Sequence, residues 1–126
     1  MKQKVILDAE NFNNLDEFYI EIYGLMNLYE DWKPAHNLDT FNDMLYSGFG
    51  EAPVELIWKN SEKSNMDLGK MATIQFYQDK INHGKPFDVE WAKEKLKAIH
   101  ENRGQTLFNI LVEILETNPK IELHLN

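Results

Sequence analysis

The 126-residue chain contains no cysteine. Disulfide bonds, thiolate metal sites and cysteine nucleophiles are therefore excluded together, and the absence is typical of a reducing compartment. A chain of this length buries roughly two-thirds of its unfolded surface, so it can hold a core without cross-links. We expect a single domain that spans residues 1–126.

Positive charge is scarce, since 13 Lys and Arg residues oppose 21 Asp and Glu residues and leave a net charge of -8. Nucleic-acid binding needs clustered cations. The densest basic segment, Lys93 to Lys97, is interleaved with glutamates, which is typical of a solvated helix face. We therefore expect no nucleic-acid partner. An acidic surface favours basic protein partners and speeds their encounter at low ionic strength.

Long apolar runs are also missing from the sequence. The first run, Val5 to Leu7, ends at Asp8 and is far shorter than the apolar region of a secretory signal. No segment approaches the roughly 20 apolar residues of a membrane-spanning helix. We expect a cytoplasmic protein without a membrane partner.

The sequence lacks the usual signatures of enzymes and cofactor sites. Its four histidines do not pair at the spacing of a zinc-binding helix, and Gly48-Phe49-Gly50 lacks the further residues of a dinucleotide or phosphate loop. No serine stands in a nucleophile-elbow sequence. We expect no catalytic residue, no metal site and no cofactor.

Three short apolar segments, separated by helical patterns, predict the fold class. Strands that alternate with helices favour parallel pairing through right-handed crossovers. We expect an α/β protein with two layers, in which a small three-stranded parallel sheet carries helices mainly on one face. The predicted strands are Lys4–Leu7, Pro53–Trp58 and Ile121–Leu125.

The helices are predicted from apolar spacing and from capping residues. Asn14, Asn37 and Asp88 each precede a helical pattern and can cap it. Gly24 costs a helix about 1 kcal/mol relative to alanine, so we expect the first helix to end before its apolar pattern does.

The helix after Asn37 carries the most informative pattern in the chain. Asp39 and Asp43 lie one turn apart on one face, where like charges cost a few tenths of a kcal/mol. The opposite side is apolar and can pack against a core. The acidic pair is therefore expected to face solvent, while the packing residues are Leu38, Phe41 and Leu45.

Three interpretations of this acidic pair are open. The face is merely solvated, or it anchors a cleft lined by arginine and lysine, with Tyr46 in the same arc and Asn42 beside it. In the third interpretation, Asp39 and Asp43 act as an acid/base or metal-binding couple. That role needs a pocket, which the sequence does not indicate.

The segment Asn37-Leu38-Asp39-Thr40-Phe41-Asn42-Asp43, which follows Trp32, resembles the barstar family of small intracellular inhibitors of secreted guanyl-specific ribonucleases. The family signature is an aromatic residue, a glycine and Asn-Leu-Asp-Ala-Leu-Trp-Asp. The resemblance continues in Gly48-Phe49 and in the strand Pro53–Trp58, and it covers about residues 3–62 and 105–126.

The chain departs from the family pattern at three places. Pro34 or Ala35 replaces the signature glycine, Asn42 replaces the tryptophan between the two aspartates, and a helical insertion at about 70–103 has no counterpart in compact members. The resemblance implies binding to a ribonuclease or related toxin nuclease. Asn42 is expected to change which enzyme fits, and the insertion favours the alternative of an interaction module with a non-nuclease partner.

The resemblance also implies roles for individual residues. Asp43 is expected to be the central anion, with Asp39 and Glu113 in support, and Gly48 is expected to allow close backbone approach. The sequence pattern alone, without the resemblance to the family, favours a solvated helix face for Glu113.

The resemblance further implies aromatic contacts with the partner. Trp32 or Tyr29 would supply an aromatic flank, and Phe49 a neighbouring apolar contact. The alternative for Trp32 is packing in the core.

Overall fold

A computed structural model describes residues 3–27 and 34–126 of the chain. Its sheet has three parallel strands in the order β1-β2-β3, with Val5 opposite Leu56 and Leu56 opposite Leu123. The predicted three-stranded parallel sheet is therefore confirmed. The strands are β1 (Gln3–Asp8), β2 (Val54–Lys59) and β3 (Ile121–Leu125).

Six α-helices accompany this sheet in the part of the chain that the structure describes. The Asn14 side chain accepts a hydrogen bond from the Glu17 amide at 2.8 Å, and Asn37 and Asp88 cap their helices in the same way. The helices are α1 (Leu15–Leu25), α2 (Leu38–Leu45), α3 (Ser61–Asp67), α4 (Lys70–His83), α5 (Val89–His100) and α6 (Leu107–Thr117).

Helix α1 ends at Leu25, before Met26, the last residue of its apolar pattern, but it does not end at Gly24. The helix continues through Gly24 to Leu25, and Gly24 itself is exposed. Phe18 and Ile22 of the same helix are fully buried. Burial of such side chains contributes about 1.5–3 kcal/mol each, which outweighs the cost of one glycine.

The two faces of the sheet differ in how they are covered. Leu7, Leu56 and Trp58 on one face are fully buried beneath the helices. On the other face, Ile6 remains 51% exposed and His124 lies beside the Glu122 carboxylate at 3.3 Å. The fold is therefore two-layered, with helices on one side of the sheet.

A cluster of aromatic rings fixes the helices against the sheet. Phe18 stacks on Trp58 at 5.5 Å and meets the edge of Phe41 at 5.4 Å, and Phe108 lies 5.1 Å from Trp58. Phe41 belongs to α2 and Phe108 to α6, so one cluster positions both helices. As a consequence, the outer faces of α2 and α6 have a fixed position relative to each other.

Residues 70–103, predicted as a helical insertion, form the two packed helices α4 and α5, here called the hairpin. Its interior contains Tyr77, Ala92 and Ile99, which are buried. The Thr73 hydroxyl accepts a hydrogen bond from the Leu107 amide at 2.8 Å. The start of α4 is thereby tied to the start of α6.

None of the helices within residues 3–27 and 34–126 combines the length and the apolar character needed to cross a membrane.

Candidate functional site

The packing of α2 decides which of its residues face outward. Phe41 and Leu45 are buried in the core, and Asp39 and Asp43 are exposed on the other side. The prediction that the acidic pair faces solvent is therefore confirmed. Among the described residues, neither carboxylate forms an ion pair within 4 Å.

Helix α6 presents a third carboxylate beside this face. Thr106 caps the helix through a reciprocal pair of hydrogen bonds with Asn109, and Leu111 and Leu115 are buried. Glu113 consequently points away from the core, and its Oε2 accepts a hydrogen bond from Gln105 Nε2 at 2.5 Å. That hydrogen bond favours one orientation of the exposed carboxylate.

The two helices and the hairpin enclose a groove of about 710 Å³. Asp39 and Asn42 line it from α2, and Glu113 lines it from α6. Trp91 and Lys95 line it from α5. The structure therefore brings Asp39, Asn42 and Glu113 together, although α2 and α6 are distant in sequence.

The groove has walls of opposite charge. Asp39 and Glu113 lie on the side of α2 and α6, whereas Lys95 and Arg103 come from the hairpin and the residues after it. Arg103 Nη2 lies 3.1 Å from Glu101 Oε2, so its charge is already partly compensated. Lys95 Nζ lies 5.8 Å from the centroid of the Trp91 ring.

A second lysine of the hairpin, Lys80, interacts electrostatically with Asp39 of α2. Lys80 Nζ lies over the rings of Phe87 and Phe76, at 4.1 and 4.7 Å from their centroids. Burial lowers the pKa of Lys80, and the negative charge of Asp39 partly opposes that change. The hairpin therefore places cations near Asp39 without forming a direct ion pair with it.

Tyr46 and Asp43 extend the acidic surface beyond the groove. Tyr46 is 56% exposed at the end of α2, and Lys120 Nζ donates a hydrogen bond to its carbonyl oxygen at 3.0 Å. Asp43 is exposed but does not line the groove. We define the acidic face as Asp39, Asn42, Asp43 and Tyr46 of α2 together with Glu113 of α6.

Phe49, expected to contact a partner, is instead part of the core. It is only 9% exposed and belongs to the central apolar cluster. The turn after α2 folds this ring back beneath the helix because burial of an aromatic side chain is strongly favourable. Phe49 is therefore removed from the candidate surface.

Packing inside the molecule leaves no room for a side chain at Gly48. A Cβ atom at this position would clash with Met26 Sδ and would lie 2.7 Å from the Met44 carbonyl oxygen. The Gly48 amide donates a hydrogen bond to that carbonyl at 2.6 Å. Packing between the ends of α1 and α2 thus explains the glycine, and no approach by a partner is needed.

The two predicted aromatic flanks, Tyr29 and Trp32, lie outside the described residues. Their roles stay predictions from the sequence.

The sequence interpretation missed the hairpin wall of the groove. The sequence predicts only a solvated helix face for Lys95, and it indicates no role for Trp91 in a site. The available signal was their spacing of four residues, which places them on the same side of α5.

No metal centre accompanies this groove in the part of the chain that the structure describes, where no three His, Cys, Asp or Glu side chains cluster suitably. Comparisons of the chain with protein-family models, curated proteins and solved structures gave no match.

Proposed function

We propose that this protein is a cytoplasmic, barstar-like inhibitor that binds and blocks the basic active site of a ribonuclease or related toxin nuclease. The acidic face makes the contact, and no cofactor takes part. The observation that supports this proposal is the convergence of Asp39 and Glu113 on one groove. A site that binds a basic cleft needs several carboxylates in a fixed relation, and the aromatic core provides that relation.

The mechanism is electrostatic mimicry of a nucleic-acid backbone. A nuclease holds phosphates with arginine, lysine and histidine, and carboxylates can occupy the same positions. Hydrogen bonds between arginine and carboxylates are among the strongest in proteins because both groups are charged. The net charge of -8 also speeds encounter with a basic enzyme at low ionic strength.

The alternative is a barstar-like interaction module whose partner is not a nuclease. The hairpin supports this alternative because it forms the second wall of the groove and places Lys95 there. A positive group at that position disfavours a partner whose surface is basic throughout. A partner with one or a few cations, set in a less charged surface, would fit better.

Calorimetric titration against a guanyl-specific ribonuclease tests the proposal. We expect stoichiometric binding that weakens at high salt, loss of ribonuclease activity in the complex, and weaker binding of Asp43→Asn. Glu62→Gln removes the same charge from an exposed position on α3 that does not line the groove, and we expect it to bind normally. Absence of binding at micromolar concentrations would favour the non-nuclease alternative.

A further inference from the structure

We propose that the groove receives one arginine side chain of the partner, held between the carboxylates of Asp39 and Glu113 and the ring of Trp91. This inference rests on the proposed function, because it specifies how that partner is recognised. It adds a role for the hairpin, which the acidic face alone does not require.

The aromatic wall of the groove has a fixed position. Trp91 is 43% exposed and lines the groove, and it packs edge-to-face on Tyr77 with 5.6 Å between ring centroids. Tyr77 is buried in the hairpin. The Trp91 ring is therefore supported from behind while part of its surface stays accessible to a ligand.

The opposite wall suits a guanidinium group better than an ammonium group. Asp39 and Glu113 both line the groove, and Gln105 orients the Glu113 carboxylate. A guanidinium group is planar, donates paired hydrogen bonds to carboxylates and stacks on aromatic rings. An ammonium group lacks this planar pair of donors, so the combined walls favour arginine over lysine.

A cation of the protein itself already approaches the aromatic wall. Lys95 Nζ lies 5.8 Å from the centroid of the Trp91 ring, which shows that a positive charge can reach this ring within the groove. The long side chain of Lys95 is exposed and can move into solvent. We infer that Lys95 competes with the incoming arginine, so removing its charge strengthens binding.

The first experiment uses N-acetyl-arginine amide as the probe and needs no nuclease. The readout is the indole N–H signal of Trp91 in a nitrogen-15 NMR spectrum, identified by its loss in Trp91→Phe. We expect a saturable shift with the arginine probe at constant ionic strength, a smaller one with the lysine analogue and none with the neutral citrulline analogue. Absence of saturation at tens of millimolar probe, or an equal response to citrulline, would overturn the inference.

Variants on the two walls are expected to change probe affinity in opposite directions. Asp39→Asn weakens binding, whereas Lys95→Gln strengthens it about two- to five-fold, as expected for the loss of one exposed like charge. Lys93→Gln, on the same helix but outside the groove, is the matched control and leaves affinity unchanged. Equal effects of Lys95→Gln and Lys93→Gln would contradict a specific role for Lys95.

The second experiment repeats the ribonuclease titration with Trp91→Ala, which we expect to weaken binding about two- to thirty-fold, the range of cation–π contacts. Met71→Ala removes an exposed apolar side chain of the hairpin outside the groove and serves as the control. Ribonuclease binding that Trp91→Ala does not alter would overturn this inference and leave the proposed function intact. Arginine-probe binding without ribonuclease binding would support the groove and contradict the nuclease as partner.

Discussion

The sheet with its covering helices and the α4–α5 hairpin are built on different principles. Around the sheet, Trp58 is fully buried and contacts the rings of Phe18 and Phe108. The hairpin buries a smaller set of side chains, centred on Tyr77, and joins α6 through the Thr73 hydroxyl. The comparison shows that the acidic wall of the groove is fixed by the main core, whereas the aromatic wall depends on local contacts.

The largest expected effect comes from removing the centre of the main core. Trp58→Ala eliminates the contacts with the rings of Phe12, Phe18 and Phe108, and also the hydrogen bond from Trp58 Nε1 to Ser64 Oγ at 3.0 Å. We expect a loss of about 3–5 kcal/mol in the free energy of unfolding, measured by urea denaturation. Trp91→Ala is the matched control in the hairpin and should cost much less. Similar losses for the two variants would refute the contrast between the regions.

The second-largest expected effect comes from removing the hydrogen bond between Thr73 and Leu107, which connects the hairpin to α6. Thr73→Val removes the acceptor of the buried Leu107 amide and the bond that the hydroxyl donates to the Gly69 carbonyl at 2.7 Å. Because an unsatisfied buried amide is costly, we expect a loss of about 1–3 kcal/mol. Hydrogen exchange should accelerate in the hairpin more than in the sheet.

Thr73→Ser retains the hydroxyl and is the control for this connection. It should preserve the protection of the hairpin amides. If both variants exchange alike, the hydroxyl does not hold the hairpin.

Alanine substitutions at two glycines outside the hairpin are expected to change stability in opposite directions. Gly48→Ala places a Cβ atom against Met26 and the Met44 carbonyl, and we expect it to lower the melting temperature through a loss of about 1–3 kcal/mol. A Cβ atom at Gly24 would meet no atom within 4 Å. Gly24→Ala should therefore raise the free energy of unfolding by about 0.5–1 kcal/mol. Two changes of the same sign would show that space at Gly48 is not the limiting factor.

The sequence predicted those features that depend on local pattern. The alternation that predicts a strand at Pro53–Trp58 and the cap at Asn37 require only neighbouring residues; the structure contains the cap and a strand at Val54–Lys59. The exposure of Asp39 followed in the same way, because Phe41 had to face the core. Each of these predictions rests on the period of a helix or a strand.

Features that depend on tertiary packing could not be predicted from local sequence pattern. Phe49 follows a helix without any periodic partner, so its burial is decided by the core that it meets. Gly48 likewise depends on Met26, which follows α1 and is distant in sequence. The position of Trp91 opposite Asp39 requires the docking of the hairpin, for which the sequence contains no local signal.

A double-mutant cycle tests the central claim most directly, namely that Asp39 and Glu113 act as parts of one cation-binding surface. Calorimetry would compare ribonuclease binding by the wild-type protein, Asp39→Asn, Glu113→Gln and the double variant at low salt. We predict that each single variant binds more weakly and that the two losses are not additive, because both carboxylates contact the same cationic region. Additive losses would contradict a shared site, and unchanged binding in the double variant would contradict the account as a whole.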